Sequence, residues 1–242
     1  MLTTQPADWS ITAQNLPEHA RNAIHTDAGA QAAGFPRALV AGVTTYAYLT
    51  HPIVVAWGEA WLAGGGGEVR FRRPVFDQDL LRCRPSTDPD GSVLVEGLTS
   101  EPDQPRATFR AVRDAGPPPP AREGEALRSM HIELTGEWGA DYGMRAGDDL
   151  PLYRDRGVVH PAVWPGLANA IVHAQVARGS WVHTRSIVRH HALAAPGAVA
   201  DVQGVVVRRW QAHGERALLD VRIKVAGTLV ATLEHEAIVA LP

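Results

Sequence analysis

Residues 34–49 read Gly-Phe-Pro-Arg-Ala-Leu-Val-Ala-Gly-Val-Thr-Thr-Tyr-Ala-Tyr-Leu. Pro36 suits the first turn of a helix, where its missing N–H costs nothing. From Ala38 onward the residues are apolar on nearly every face, which predicts a buried helix over 36–49. Pro52 opens a second helical piece that reaches Leu62 and stops at the glycines 64–67. Beyond it the period changes from helical to alternating. Val69 and Phe71 alternate with Arg70 and Arg72, Val93 and Val95 form a second stripe, and Ala107, Phe109 and Ala111 a third. Arg82-Cys83-Arg84 alternates in the same way.

The same order recurs after residues 116–125, Gly-Pro-Pro-Pro-Pro-Ala-Arg-Glu-Gly-Glu, whose prolines exclude a helix or a central strand and predict a stiff connector. Residues 161–178 read as a helix with Leu167, Ile171 and Ala174 on one face and Gly179 as its stop. Strands follow at 182–190, 198–209, 217–225 and 228–239, the last three as an antiparallel meander. Leu219, Val221, Ile223 and Val225 face one way there, and Asp220, Arg222 and Lys224 the other. A buried helix followed by an antiparallel run describes a curved sheet wrapped on a helix, and the chain writes it twice. The expected organisation is 1–115, a proline-rich linker at 116–128, and 129–242.

Composition narrows the function classes. The chain has 242 residues, 45% hydrophobic and 20% charged, with a formal net charge of -3, which is ordinary for a globular protein and offers no basic face for nucleic acid or anionic lipid. Cys83 is the single cysteine, so no intrachain disulfide forms and a reducing, cytoplasmic setting is expected. Residues 1–10 carry no basic-then-apolar leader pattern. The longest apolar stretch, 38–62, is interrupted by Thr44, Thr45, His51 and Pro52 and is not expected to span a bilayer. Adjacent His190 and His191 would point to opposite faces of a strand, which argues against a shared metal ion. Gly-x-Ser-x-Gly is missing, so an α/β-hydrolase is not expected.

Three segments then carry a family resemblance. Asn22-Ala-Ile-His25-Thr-Asp27, Ala32-Ala-Gly34-Phe35 with Leu39-Val-Ala-Gly42, and Val69-Arg-Phe71-Arg-Arg-Pro74-Val75-Phe-Asp77-Gln-Asp79 resemble the signature of MaoC-like hotdog-fold acyl-CoA hydratases. The resemblance covers roughly residues 20–80. Trp181-Val-His183-Thr and Pro196-Gly197 are weaker echoes in the second half. It implies an α+β double hotdog: two curved antiparallel sheets, each around a central helix.

The implied chemistry is reversible hydration of a trans-2-enoyl thioester to an (R)-3-hydroxyacyl thioester. It needs no cofactor, and acyl-CoA or a related thioester is the substrate. The family's Asp-x-Asn-Pro-x-His falls on Ala20, Asn22, Ala23 and His25, so the histidine is kept and the carboxylate is lost. Its helix-start His-Gly becomes Ala41-Gly42. The resemblance then implies His25 as acid/base, Asn22 or Asp27 orienting it, and Gly34, Phe35 and Gly42 around the thioester.

Two residues apart in an extended loop, His25 and Asp27 would point the same way. Asp155 and His160 repeat the five-residue spacing of the family pair in the second half and are a second candidate dyad. Trp164 and Trp181 are expected either to fill the second half's own groove or to line a shared one. A non-catalytic thioester or small-molecule binder, a thioesterase, and a specialised-metabolism enzyme on the same fold stay open. The discriminating feature is a carboxylate within hydrogen-bond reach of His25. A small-molecule thioester is the expected partner, and a homodimer of such double units remains open.

Overall fold

The computed structural model describes residues 5–241. Eleven strands are present among them: β1 (Trp9–Thr12), β2 (Gly66–Phe71), β3 (Leu80–Thr87), β4 (Val93–Leu98), β5 (Ala107–Val112), β6 (Glu125–Ala126), β7 (Met130–Glu133), β8 (Val182–His190), β9 (Val199–Gln211), β10 (Glu215–Val225) and β11 (Thr228–Ala240). The helices are α1 (Asp27–Ala32), α2 (Gly42–Gly64), α3 (Tyr142–Ala146), α4 (Leu152–Arg156) and α5 (Val163–Gln175).

The strands do not form two sheets. They run as one antiparallel sheet in the order β1-β3-β4-β5-β2-β8-β11-β10-β9-β6, with β7 also on β9. The expectation of two separate sheets is corrected at the β2–β8 ladder, where Gly66 pairs with Arg189 and Arg70 with Arg185. Both strands would otherwise be unprotected edges, and pairing them removes that liability. Gly66 and Gly67 are what let β2 fit there: a Cβ on Gly66 would lie 2.3 Å from the Val188 carbonyl, and one on Gly67 2.3 Å from the Arg110 carbonyl. α2 packs against β1–β5 and β8, α5 against β8, β9 and β11, and the two helices touch. One large hydrophobic core results, with a small separate cluster of Ile24, Ala30 and Leu39 beside it.

The first long helix starts later and ends later than its sequence pattern suggests. Residues 36–41 are not helical: a bend at Pro36 and Arg37 leads into a stretch held by Leu39 N–H on the Ile24 carbonyl (3.0 Å) and Val40 N–H on the Val75 carbonyl (2.8 Å). The helix then runs through Pro52 to Gly64, with one kink at Gly58 (φ 61°). Pro52 has no N–H for the Tyr48 carbonyl one turn back. The buried Cys83 thiol donates to that carbonyl instead, at 3.3 Å, which gives the lone cysteine a structural task. Burial pushes its pKa far up, so the thiol stays protonated and unreactive.

In the second half α5 is shorter than the expected 161–178, and Ala174 is exposed. The meander is as read, except that Asp220 is buried. Its carboxylate accepts from Arg122 N–H at 2.9 Å, and the Arg222 guanidinium donates to the Pro119 carbonyl, so the proline run is strapped across β10. Among the described residues no helix is long and apolar enough to cross a membrane.

Candidate active site

Between α2 and α5 lies a cavity of about 310 Å³. One wall comes from His19, Asn22, His25, Phe35 and Leu39 and the first residues of α2, and the other from Trp138, Asn169, Trp181 and His183. Both halves therefore build it.

His25 ends a short 3-10 turn, Ala23–His25, whose backbone is set by His25 N–H on the Asn22 carbonyl at 3.0 Å. Its Nδ1 lies 2.8 Å from the Leu39 carbonyl. A carbonyl can only accept, so Nδ1 carries the hydrogen and Nε2 keeps its lone pair. Burial lowers the pKa of this ring, opposed by the Leu39 hydrogen bond, so the neutral form is the resting one. His19 stands 5.8 Å away, ring to ring. Burial first, then neighbouring His25, pull it to about 3, and it pairs with the Thr44 hydroxyl at 3.2 Å.

The other proposed site residues are placed unevenly. Asn22 lines the cavity, but its amide donates to the Trp181 carbonyl at 2.9 Å rather than to His25. That bond ties the two halves together and leaves the buried Oδ1 without a partner. Phe35 and Gly42 line the cavity; Gly42 is the first residue of α2, whose opening N–H groups have no helical partner.

Asp27 and Gly34 are not at the site. The chain turns into α1 at Asp27, so strand alternation no longer holds, and the exposed carboxylate accepts from Ala38 N–H at 2.8 Å. Gly34 has φ 83°, closing the turn after α1. The Leu39 carbonyl, which no side-chain pattern reveals, orients His25 in their place. Trp181 lines the shared cavity, whereas Trp164 is buried in the core.

The Asp155–His160 dyad is also corrected. Asp155 is exposed, its nearest charged partner being Arg154 at 3.5 Å. His160 instead donates from Nε2 to Asp148 Oδ2 at 3.0 Å, because its Nδ1 accepts from Ala162 N–H at 3.1 Å. His51, 97 residues before Asp148, meets the other carboxylate oxygen from its Nδ1 at 2.8 Å. Trp9 stacks on His51 with ring centroids 3.8 Å apart. Burial would raise the Asp148 pKa, but the bonds from His160 and His51 outweigh it and hold the carboxyl far below its usual range. Although it pairs a buried carboxylate with two histidines, this hub borders no part of the cavity. It plugs the start of α5, while the start of α2 stays open. Nothing in the local sequence around Asp148 signals its two distant partners.

Arg21, Arg72, Arg73 and Arg216 ring the cavity. Arg21 is paired with Glu137, Arg216 with Glu236 and Arg73 with Glu101 at 3.5 Å; Arg72 and Arg73 are exposed. Among the described residues no three or more His, Cys, Asp or Glu side chains converge as a metal site.

No protein-family model matches the chain, and no curated protein matches it by sequence. Solved structures do. A double-hotdog protein of Mycobacterium tuberculosis, Rv0216, aligns over 98% of this chain and 96% of its own with TM-score 0.67 and 14% identity. A MaoC-like dehydratase aligns over 99% of both chains with TM-score 0.61 and 14% identity. The chain has a hotdog fold. A candidate oleoyl thioesterase of Lactobacillus plantarum shares this hotdog fold as well, over 99% of this chain and 98% of its own, at TM-score 0.55 and 8% identity. At these identities the likeness carries the architecture, and the chemistry has to be argued from the cavity.

Proposed function

We propose that two fused hotdog units, 1–115 and 129–242, form a MaoC-like enoyl-thioester hydratase, or 3-hydroxyacyl-thioester dehydratase, with one active groove between them. One observation carries this reading: His25 lines a largely apolar cavity beside the start of α2, and the Leu39 carbonyl holds its Nδ1, which leaves Nε2 as the free nitrogen. A base of that kind removes a proton from water as the oxygen adds to C3 of the enoyl chain, and returns it to C2. The N–H groups at the start of α2 would hold the thioester oxygen as it gains charge. Exposed Arg72 and Arg73 at the mouth fit an anionic carrier such as coenzyme A. The test is a spectrophotometric hydration assay on crotonyl-, octenoyl- and dodecenoyl-CoA. Loss of enoyl absorbance is expected with the wild type and not with His25→Ala.

A second reading is favoured by the hydrogen-bond partner of His25, which is a backbone carbonyl and not a carboxylate. A hotdog protein that binds a thioester without turning it over meets the same geometry. Saturable quenching of the groove tryptophans Trp138 and Trp181 by acyl-CoA with no hydration, dehydration or thioester hydrolysis would establish it.

A further inference from the structure

His183, on β8, is only 6% exposed and lines the cavity, yet its Nδ1 has no partner. An orphaned buried nitrogen facing a cavity is costly unless a ligand or water meets it. Its other nitrogen is fully engaged. Nε2 lies 2.8 Å from Ser186 Oγ, which lies 2.9 Å from His235 Nδ1 on β11. Residues 183 and 186 would face opposite sides of a regular strand. The register shift opposite Glu236/Ala237 inserts Thr184 as an extra residue, and this brings both inward.

Proton counting couples the three groups. Ser186 has one hydrogen, so it donates to one imidazole and accepts from the other. With Ser186 donating to His235, His183 carries its hydrogen on Nε2 and keeps a bare Nδ1, while His235 carries its own on a buried Nε2 that likewise has no partner. Burial, then the neighbouring His235, hold the pKa of the His183 ring well below the ordinary histidine range against a smaller opposing effect of the Arg185 backbone, so it carries one hydrogen. Gly42 is the backbone that lies against this buried Nδ1: a Cβ there would stand 3.5 Å from Nδ1 and 3.3 Å from the Phe71 ring that packs on His183.

We propose that His183 is a second catalytic residue of the groove, accepting a hydrogen bond from the attacking water at Nδ1, and that Ser186 and His235 are positioning residues that keep this nitrogen bare. The proposal rests on the hydration reading. One O–H of the water points to His25 Nε2 and the other to His183 Nδ1. As the O–C3 bond forms, the first proton moves to His25 and the C2–C3 π pair shifts toward the thioester carbonyl. His25 then gives that proton to C2, and the second O–H remains as the product hydroxyl. His183 ends with the protons it started with.

The experiment has two arms on the full chain. Long-range ¹H–¹⁵N correlation spectra of the free protein should show His183 neutral, protonated at Nε2 and bare at Nδ1, with Ser186→Ala mixing the two tautomers. In the crotonyl-CoA assay His183→Leu should lower kcat about a hundredfold with KM within about threefold. Ser186→Ala should lower kcat about threefold or more, and Ser186→Thr, which restores a hydroxyl, should recover it. Thermal melts show which variants are folded, and Ser186→Ala keeps the test open if His183→Leu is not. A His183 ring protonated at Nδ1, or kcat unchanged in folded His183→Leu or Ser186→Ala, overturns the proposal. Absence of any wild-type hydration defeats the catalytic role together with the reading beneath it. A bare Nδ1 whose ¹⁵N resonance then moves on adding crotonyl-CoA would mark His183 as a binding contact only.

Discussion

Replacing Asp148 separates the two histidine clusters, because one should carry stability and the other turnover. Asp148 is buried and accepts from His51 Nδ1 at 2.8 Å, His160 Nε2 at 3.0 Å and Leu150 N–H at 3.3 Å. Asp148→Ala leaves both imidazole donors buried and unpaired. Removing one partner of a buried charged pair costs about 3–5 kcal/mol, the loss expected here. Asp148→Asn should cost less. His160 is locked by Ala162 N–H at its Nδ1 and needs the amide oxygen, but His51 can change tautomer and accept from the amide nitrogen. Charge assistance is lost at two bonds, about 1 kcal/mol each, and Leu150 N–H, which now donates to the same oxygen as His51, faces an amide nitrogen that cannot accept, so about 2–3 kcal/mol is expected. The folded-state carboxyl titrates below its unfolded value. Its contribution is therefore complete above about pH 4, lost as pH falls toward the folded-state pKa, and missing from the pH profile of Asp148→Asn. Urea titrations of the three proteins between about pH 3 and 8, where two-state behaviour holds, measure this. kcat of folded Asp148→Asn should stay within about threefold of wild type. A folded Asp148→Asn with stability unchanged and turnover abolished would refute the reasoning and move the chemistry to the hub.

Other consequences are open to measurement. His25→Ala should lower kcat by about 10²- to 10⁴-fold with the melting temperature little changed, whereas His160→Ala should destabilise the fold and barely alter turnover. On the proposed hydration His25 is the base, and its pKa is lowered by burial, so kcat/KM should be flat through neutral pH and fall only on the acid side of the ordinary histidine range, about 6.5. Charge reversal at Arg72 and Arg73 should raise KM for coenzyme A esters severalfold, more at low salt than at high salt. Cys83→Ala should cost about 1–2 kcal/mol in urea titration. In a Pro52→Ala background, where residue 52 regains an N–H for the Tyr48 carbonyl, the same change should cost about half as much. Equal costs in both backgrounds would show that the thiol does not serve that carbonyl.

How much of this was legible follows the range of the interactions concerned. The meander was read nearly to the residue because Leu219, Val221 and Ile223 alternate without interruption, and alternation is a local consequence of burying one face. Pro36 misled for an equally local reason. It fits a helix start, yet the long-range bonds from Leu39 to Ile24 and from Val40 to Val75 keep 36–41 out of the helix. His25 was legible because its neighbours travel with it in a motif, and Asp27 was misplaced because α1 begins there and rotates it away. Asp148 was invisible, since its partners lie 97 and 12 residues off. The outcome is an unequal pair of helix starts. His160 closes the start of α5 with its own ring, supported by Asp148, while 36–41 is drawn aside so that the start of α2 stays open toward His25 and His183. A single chain makes that division available, because no symmetry operator obliges one helix start to repeat the other.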